Sequence, residues 1–249
     1  FKMASIYGRK KKMKKDNLYI IMPAYNEQDT IGEVVDEWYN VVNKIGEDSR
    51  IVVVNDGSKD DTLKILKNLQ EDKPQLVVLD KKNSGHGSTV IYGYNYAISK
   101  SPAYIFQTDS DGQTLASEFW QFWDHRNEYD AQFGFRKKRE DGLSRWIVTK
   151  TLRFIVWGIF KTWVTDANTP YRLMKTTVLE EALKYVPDDY NLPNVIISTY
   201  IVKKKFNYRF ERVTFRPRQG GVNSINIKSI SKIGKNALGD FKTIAKHIN

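Results

Sequence analysis

The 249-residue chain contains no cysteine. That absence excludes a disulfide framework, a thiolate nucleophile and a cysteine-ligated zinc. Histidine is scarce too: His86, His125 and His247 are too scattered for a histidine metal cluster. No apolar run approaches the roughly 18–20 residues of a transmembrane helix, and no secretory signal is evident. Acid is missing from residues 1–15, which hold seven Lys/Arg, and is sparse in residues 203–249, where twelve Lys/Arg face Glu211 and Asp240. The net charge is +11, so these ends carry +17 and residues 16–202 about −6. The basic charge therefore flanks an ordinary, mildly acidic middle. Basic ends of this kind suit nucleic acid or an anionic membrane. Residues 1–16 are expected to form a flexible, solubilising leader, and Met13 is expected to be the natural start. With 41% hydrophobic and 13% aromatic residues, the rest supports one sizeable core.

The first half alternates between two periods. Leu18–Met22, closed by Pro23, reads as a buried strand. Asp29–Ile45 places Ile31, Val34, Val35, Trp38, Val41, Val42 and Ile45 at helical spacing. Ile51–Val54 is a β-branched strand, and Asp60–Leu69 is helical. Leu76–Leu79 is a third strand, followed by a helix over Thr89–Ile98. Tyr104–Phe106 is a fourth strand, Glu118–Glu128 a helix and Ala131–Phe135 a fifth strand. Strands alternating with helices indicate βαβ units and a largely parallel sheet.

The second half reads differently. Ser144–Val164 is a helix crowded with Trp146, Leu152, Phe154, Ile155, Trp157, Phe160 and Trp163, interrupted by Lys150, Arg153 and Lys161. It is either a buried helix or one lying in a membrane interface, where Trp and basic residues are both favoured. Tyr208–Phe215 alternates as a strand. Ile227–Ile248 is a basic amphipathic helix, with Phe241, Ile244 and Ile248 in its apolar stripe and Lys228, Lys232, Lys235, Lys242 and Lys246 outside it.

Polar residues cluster where strands end. Tyr104-Ile-Phe-Gln-Thr-Asp-Ser-Asp-Gly-Gln113 is an apolar run closing on two carboxylates. Extended geometry continued past the strand would point Asp109, Asp111 and Gln113 the same way. Such oxygens suit a hard cation, Mg2+ or Mn2+, able to clamp a diphosphate; alone, the pair also reads as a solvated acidic turn. Pro23-Ala-Tyr-Asn-Glu27 follows the first strand, Asn55-Asp-Gly-Ser58 the second and Asn83-Ser-Gly-His-Gly87 the third. Glu27 and Asp56 offer acceptors to a nucleoside, and Tyr25 an aromatic edge. Gly85 and Gly87 would let backbone N–H groups approach phosphates at a helix start. In α/β folds, loops at the carboxyl ends of strands share one ligand crevice.

In this order the motifs resemble those of family 2 glycosyltransferases with the GT-A fold, a Rossmann-like, mixed but mainly parallel sheet flanked by helices. The group that fits is the polyprenyl-phosphate glycosyltransferases, similar to dolichol-phosphate mannosyltransferase. The likeness spans Leu18 to Ser224. It implies a catalytic domain over residues 17–225, with 17–113 the nucleotide-sugar half and 114–225 the acceptor half; 226–249 would be an appended helix. It implies that Pro23, Tyr25, Glu27 and Asp56 bind the nucleoside, joined at the donor by Gly85, Gly87 and Asp109. It further implies that Asp109, Asp111 and Gln113 hold Mg2+ or Mn2+ on the donor diphosphate. Phe135-Arg-Lys-Lys-Arg-Glu-Asp141 matches the segment that the family places near phosphates. Arg136, Arg139, Arg153, Arg218 and Ser224 become candidates for the acceptor phosphate, with Asp111, Arg136, Arg153 and Arg218 in catalytic roles. There are departures. Asn55 stands where an aspartate is common, the Gln-x-x-Arg-Trp signature of processive synthases is absent, and so is the membrane-spanning tail of many relatives.

The expectation is an inverting, metal-dependent enzyme. It would move one sugar from a UDP- or GDP-sugar to a polyprenyl phosphate on the cytoplasmic membrane face. The two apolar helices would attach it in the interface plane, against anionic lipid and beside a membrane-protein partner or a second copy. If instead both helices pack on the sheet, Trp157 and Phe160 are core. A dianionic acceptor phosphate needs no general base; for a carbohydrate or glycolipid hydroxyl acceptor, Asp166 is the candidate base. A nucleotidyltransferase and a nucleic-acid-binding module are the further readings. The second is disfavoured because the basic segments flank an intact donor motif set.

Overall fold

A computed structural model describes residues 16–136, 143–217 and 239–248, and only the backbone of 143–149. Residues 1–15 of the expected leader, Arg139, Arg218, Ser224 and residues 226–238, where the sequence predicts the first part of a C-terminal helix, lie outside the described residues.

Seven strands make one sheet in the order β3-β2-β1-β4-β6-β5-β7. They are β1 Leu18–Ala24, β2 Arg50–Asn55, β3 Leu76–Asp80, β4 Tyr104–Gln107, β5 Ala131–Arg136, β6 Arg172–Lys175 and β7 Tyr208–Val213. β1 pairs in parallel with β2 and β4, β2 with β3, and β5 with β7; only β6 runs antiparallel to its neighbours. The mixed, mainly parallel sheet expected from the sequence is therefore present.

Side chains alternate between two cores, as a pleated sheet requires. Ile21, Val52, Val54, Ile105 and Met174 face one side, toward helices α3 His86–Lys100, α5 Leu143–Phe160, α7 Pro193–Lys203 and the helix at 239–248 (α8). Ile20, Met22, Ile51, Val53, Phe106 and Leu173 face the other, against α1 Ile31–Ile45 and the turn around Phe119 and Phe122. There Trp38 of α1, fully buried, lies 5.2 Å from the Phe106 ring and 6.1 Å from those of Phe119 and Tyr171. Aromatic pairs at such distances add about 0.5–1.5 kcal/mol each beyond their burial.

Several elements differ from the sequence reading. β1 runs on through Pro23 to Ala24, pairing only with β2 there, because β4 leaves the ladder at Gln107. A missing N–H costs little where no strand lies opposite. In place of a helix over Glu118–Glu128 there is a 3-10 turn, Ala116–Phe119, then a single α-turn (α4), Trp120–Trp123. Arg126 closes it, its guanidinium donating to the Trp123 carbonyl and to Asp16, both at 2.9 Å. α5 ends at Phe160, short of Val164, because Lys161 takes φ 54°. That turn lets Phe160 and Val164 both enter the core.

α6 Thr176–Leu183, α7 and β6 were not anticipated. Every residue of α7 from Pro193 to Ile201 is buried, so it has no polar face to reveal a period. β7 stops at Val213, and Phe215 makes only an isolated bridge to Thr114. In α8 the apolar stripe is spent inside the protein: Phe241, Ile244, Ala245 and Ile248 join the first core.

Candidate active site

The chain enters the sheet at β1, moves outward through β2 and β3, then returns to the other side of β1 with β4. The carboxyl ends of β1 and β4 thus flank the point where strand order reverses, the place where open α/β sheets bind ligands. Pro23 and Ala24 pair with β2 and have no partner in β4. All four loops singled out in the sequence end at this edge.

They are laced together. The Asn26 amide donates to Ser58 Oγ at 3.0 Å, and the Lys59 amide to Asn26 Oδ1 at 2.8 Å. Buried Glu27 receives a bond from Thr30 Oγ1 at 3.4 Å, while its own N–H donates to Thr62 Oγ1 at 2.9 Å. Tyr25 is half-buried beside them.

Asp56 binds the second loop to the third. Its Oδ1 accepts from Lys81 Nζ and, at 2.9 Å, from the Ser84 amide; Oδ2 accepts from the Gly85 amide at 3.0 Å. Both oxygens, expected to serve a nucleoside, also shape the loop. The Gly85 N–H, expected to approach a phosphate, is committed to Asp56. Gly87 is glycine for a protein reason as well. A Cβ there would lie 2.2 Å from the Tyr190 carbonyl oxygen and 2.6 Å from the Asn191 carbonyl carbon, so the 190–191 backbone packs directly on the start of α3.

The acidic loop is not a continued strand. β4 ends at Gln107, Gly112 turns the chain at φ 69°, and Asp111 Oδ1 folds back to accept the Gln113 amide at 3.1 Å. The extended backbone from which a common direction of Asp109, Asp111 and Gln113 was expected therefore stops at Gln107. Gln113 is tied to the segment after β7, its Nε2 donating to the Arg216 carbonyl at 3.1 Å and its own carbonyl accepting the Arg216 amide at 2.7 Å. Thr108 and Thr114 close the neck of the loop with a buried hydroxyl pair at 2.7 Å. Asp109 Oδ1 is a buried oxygen with no hydrogen-bond donor among the described residues, and His86 Nε2 lies 4.0 Å from it. His86, at the first position of α3, was quoted in the third motif but given no role, because a lone histidine carries no spacing signal.

A buried polar layer supports this loop. Tyr94 donates to Gln107 Oε1 at 2.6 Å, and burial raises its phenol pKa, so it stays a donor. Arg172, paired with Gln107 across β4 and β6, is fully buried. It donates to the carbonyls of Thr169, Asn194 and Ala167. Burial lowers its pKa, while Tyr94, Asp166 and Asp109 favour its charge. Its segment, Asp166 to Arg172, falls in the acceptor half by sequence, but no role followed for Arg172 itself.

Of the candidate phosphate arginines, Arg136 sits 3.8 Å from the centre of the Phe215 ring, and Phe215 bridges Thr114, so it is brought beside the acidic loop. Arg153 is on α5, donating to the Thr165 carbonyl and lying over Trp163 at 5.5 Å. Its Nε is buried without a partner among the described residues.

A doubly wound sheet with laced loops and an acidic turn at its switch point defines a GT-A-like glycosyltransferase fold. The profile of glycosyl transferase family 2 matches residues 19–183, and the chain belongs to that family. The undecaprenyl-phosphate 4-deoxy-4-formamido-L-arabinose transferase of Pectobacterium atrosepticum is 26% identical over 56% of this chain and 43% of its own length. A dolichyl-phosphate beta-glucosyltransferase of Trichomonas vaginalis is 34% identical over 40% of this chain and 30% of its own. The chain thus spans less than half the length of either relative. The fold is shared with glucosyl-3-phosphoglycerate synthase of Mycobacterium tuberculosis, with TM-score 0.68 and 14% identity over 93% of this chain and 80% of that one. The same synthase has been solved with Mn2+, UDP-glucose and phosphoglyceric acid, at TM-score 0.66 and 14% identity over the same shares of the two chains.

Proposed function

We propose that this enzyme is inverting and metal-dependent, transferring a single sugar from a UDP- or GDP-sugar to a polyprenyl phosphate at the cytoplasmic membrane face. The observation that carries the reading is the acidic loop at the switch point, with Asp109 Oδ1 buried and without a donor among the described residues. A cation satisfies such an oxygen. Asp109 and Asp111 would hold Mg2+ or Mn2+. One or two carboxylates are enough for an ion that substrate phosphates complete. The Mn2+ and UDP-glucose in the mycobacterial synthase support both the ion and a nucleotide-sugar donor. The undecaprenyl- and dolichyl-phosphate relatives support the acceptor.

When bound, the ion neutralises charge on the departing nucleoside diphosphate. The chain does the rest. Pro23, Tyr25 and Glu27 flank the nucleoside, and Asp56 holds the third loop in place around it. Gln113 anchors the acidic loop, and Arg136 and Arg153 meet the acceptor phosphate with bidentate donors. A phosphate monoester has its second pKa near ~6 and attacks as a dianion, so no side chain must take a proton. The test is turnover of a panel of nucleotide sugars with a short polyprenyl phosphate. Activity should vanish in chelator and return with Mg2+ or Mn2+, and Asp111→Asn should lose it while staying folded. Full activity in chelator overturns the metal role.

A further inference from the structure

Residues 143–165 carry Arg145, Lys150, Arg153 and Lys161 and no acidic residue. α5 divides its aromatics between two faces. Phe160, with Val156, is fully buried in the first core. Phe154 and Trp157 point outward at 58% and 52% exposure, and the turn that follows adds Trp163 at 50%. The Phe154 and Trp163 rings meet edge to face at 6.0 Å, and the Arg153 guanidinium lies over Trp163. Lys150 and Lys161 are exposed toward the two ends of the patch.

Among the described residues, three of the four exposed large hydrophobic side chains fall in this ten-residue stretch; the other is Tyr92. A contiguous apolar patch on a protein surface marks a partner or a membrane. Charge chooses between them. Tryptophan beside Lys/Arg, with no carboxylate in the segment, is the composition favoured at a lipid headgroup layer, and it complements an anionic one. Among the described residues no helix is long and apolar enough to cross a bilayer. The described part of α8, the other amphipathic candidate, has its stripe in the core.

We propose that Phe154, Trp157 and Trp163, with Lys150 and Lys161, dock α5 in the plane of an anionic bilayer surface. Arg153 ties this helix to the Thr165 carbonyl, next to Asp166, and the docked face lies on the expected acceptor half. The docking face deepens the lipid-phosphate reading and rests on it for its purpose, but its measurement needs no sugar donor.

The test is co-sedimentation with vesicles of phosphatidylcholine alone or with phosphatidylglycerol, at low and high salt. The wild type should prefer anionic vesicles, with partial release by salt. Phe154→Ser/Trp157→Ser should weaken partition by about tenfold or more. Lys161→Gln should weaken it by about fivefold on anionic vesicles only. If the aromatic variant fails to fold, quenching of wild-type tryptophan fluorescence by brominated anionic lipid decides, and quenching is expected. Indifference of the wild type to anionic vesicles, equal binding by the folded aromatic variant, absence of quenching, or self-association in place of vesicle binding each overturns the proposal. Vesicle binding without glycosylation of any polyprenyl phosphate would sink the acceptor reading and leave the docking face standing. Turnover of a water-soluble short-chain acceptor by a protein that ignores vesicles would do the reverse.

Discussion

Asp56→Asn separates a residue that binds ligand from one that builds the site. The carboxylate receives Lys81 Nζ, the Ser84 amide and the Gly85 amide, and the two side chains are 5% and 14% exposed. Asparagine offers one carbonyl oxygen and turns an NH2 toward one of these donors. Hydrogen bonds to a charged group contribute about 1.5–3 kcal/mol each, and breaking a buried pair costs about 3–5 kcal/mol. Lys81 keeps the Lys82 carbonyl, Ser84 Oγ and Thr89 Oγ1 as acceptors, which places the loss at the low end, near ~3 kcal/mol. Urea unfolding reads it directly. Lys81→Met alone and combined with Asp56→Asn should give a coupling of about 1–3 kcal/mol. If Asp56→Asn unfolds within about 0.5 kcal/mol of wild type yet loses nucleotide binding, Asp56 is a ligand contact and its loop-building role is wrong.

Gly87→Ala should shift the 190–191 backbone and cost about 1–3 kcal/mol in urea unfolding, because the new methyl meets main-chain atoms that cannot rotate away. Phe160→Ala should cost about 3–5 kcal/mol, while Trp157→Ala, three residues earlier but exposed, should stay within about 0.5 kcal/mol; equal losses would contradict the division of α5. For Asp130, burial alone would raise the carboxyl pKa, but a 2.9 Å bond from Lys175 Nζ, a 3.0 Å bond from the Asn207 amide and the Lys175 charge lower it. Its contribution is therefore fully present above the unfolded carboxylate pKa of about 3.9 and lost as pH falls through the lower folded value. Asp130→Asn should cost about 1 kcal/mol at neutral pH, and the gap from wild type should close only below that range; a gap that widens in acid would contradict the pairing.

The first half of the fold was legible because its signals are local. α1 buries each apolar residue its period marked, and β2, β3 and β5 match their apolar runs to within a residue at either end. The second half hides its elements. α7 is buried on all sides, and β6 begins on a fully buried arginine, whose acceptors include the Asn194 carbonyl on α7. The four loops were found, but not the work of each residue. The structural work of Asp56, Gly85 and Gly87 was hidden in sequence because Asp56 and Gly85 meet across 29 positions and Gly87 packs on the distant 190–191 backbone. His86 and Arg172 were given no role because much of their meaning comes from Asp109 and the sheet beside them.

The most direct test of the central claim is the chemical identity of the product. The enzyme would be incubated with its turned-over nucleotide sugar, Mg2+ or Mn2+ and a short polyprenyl phosphate, and the lipid product examined by mass and by phosphorus NMR. The expected result is one sugar joined through a phosphodiester to the polyprenyl chain, absent with Asp109→Asn. A product in which the sugar sits on a hydroxyl, with the lipid phosphate left a monoester or not required, would contradict it.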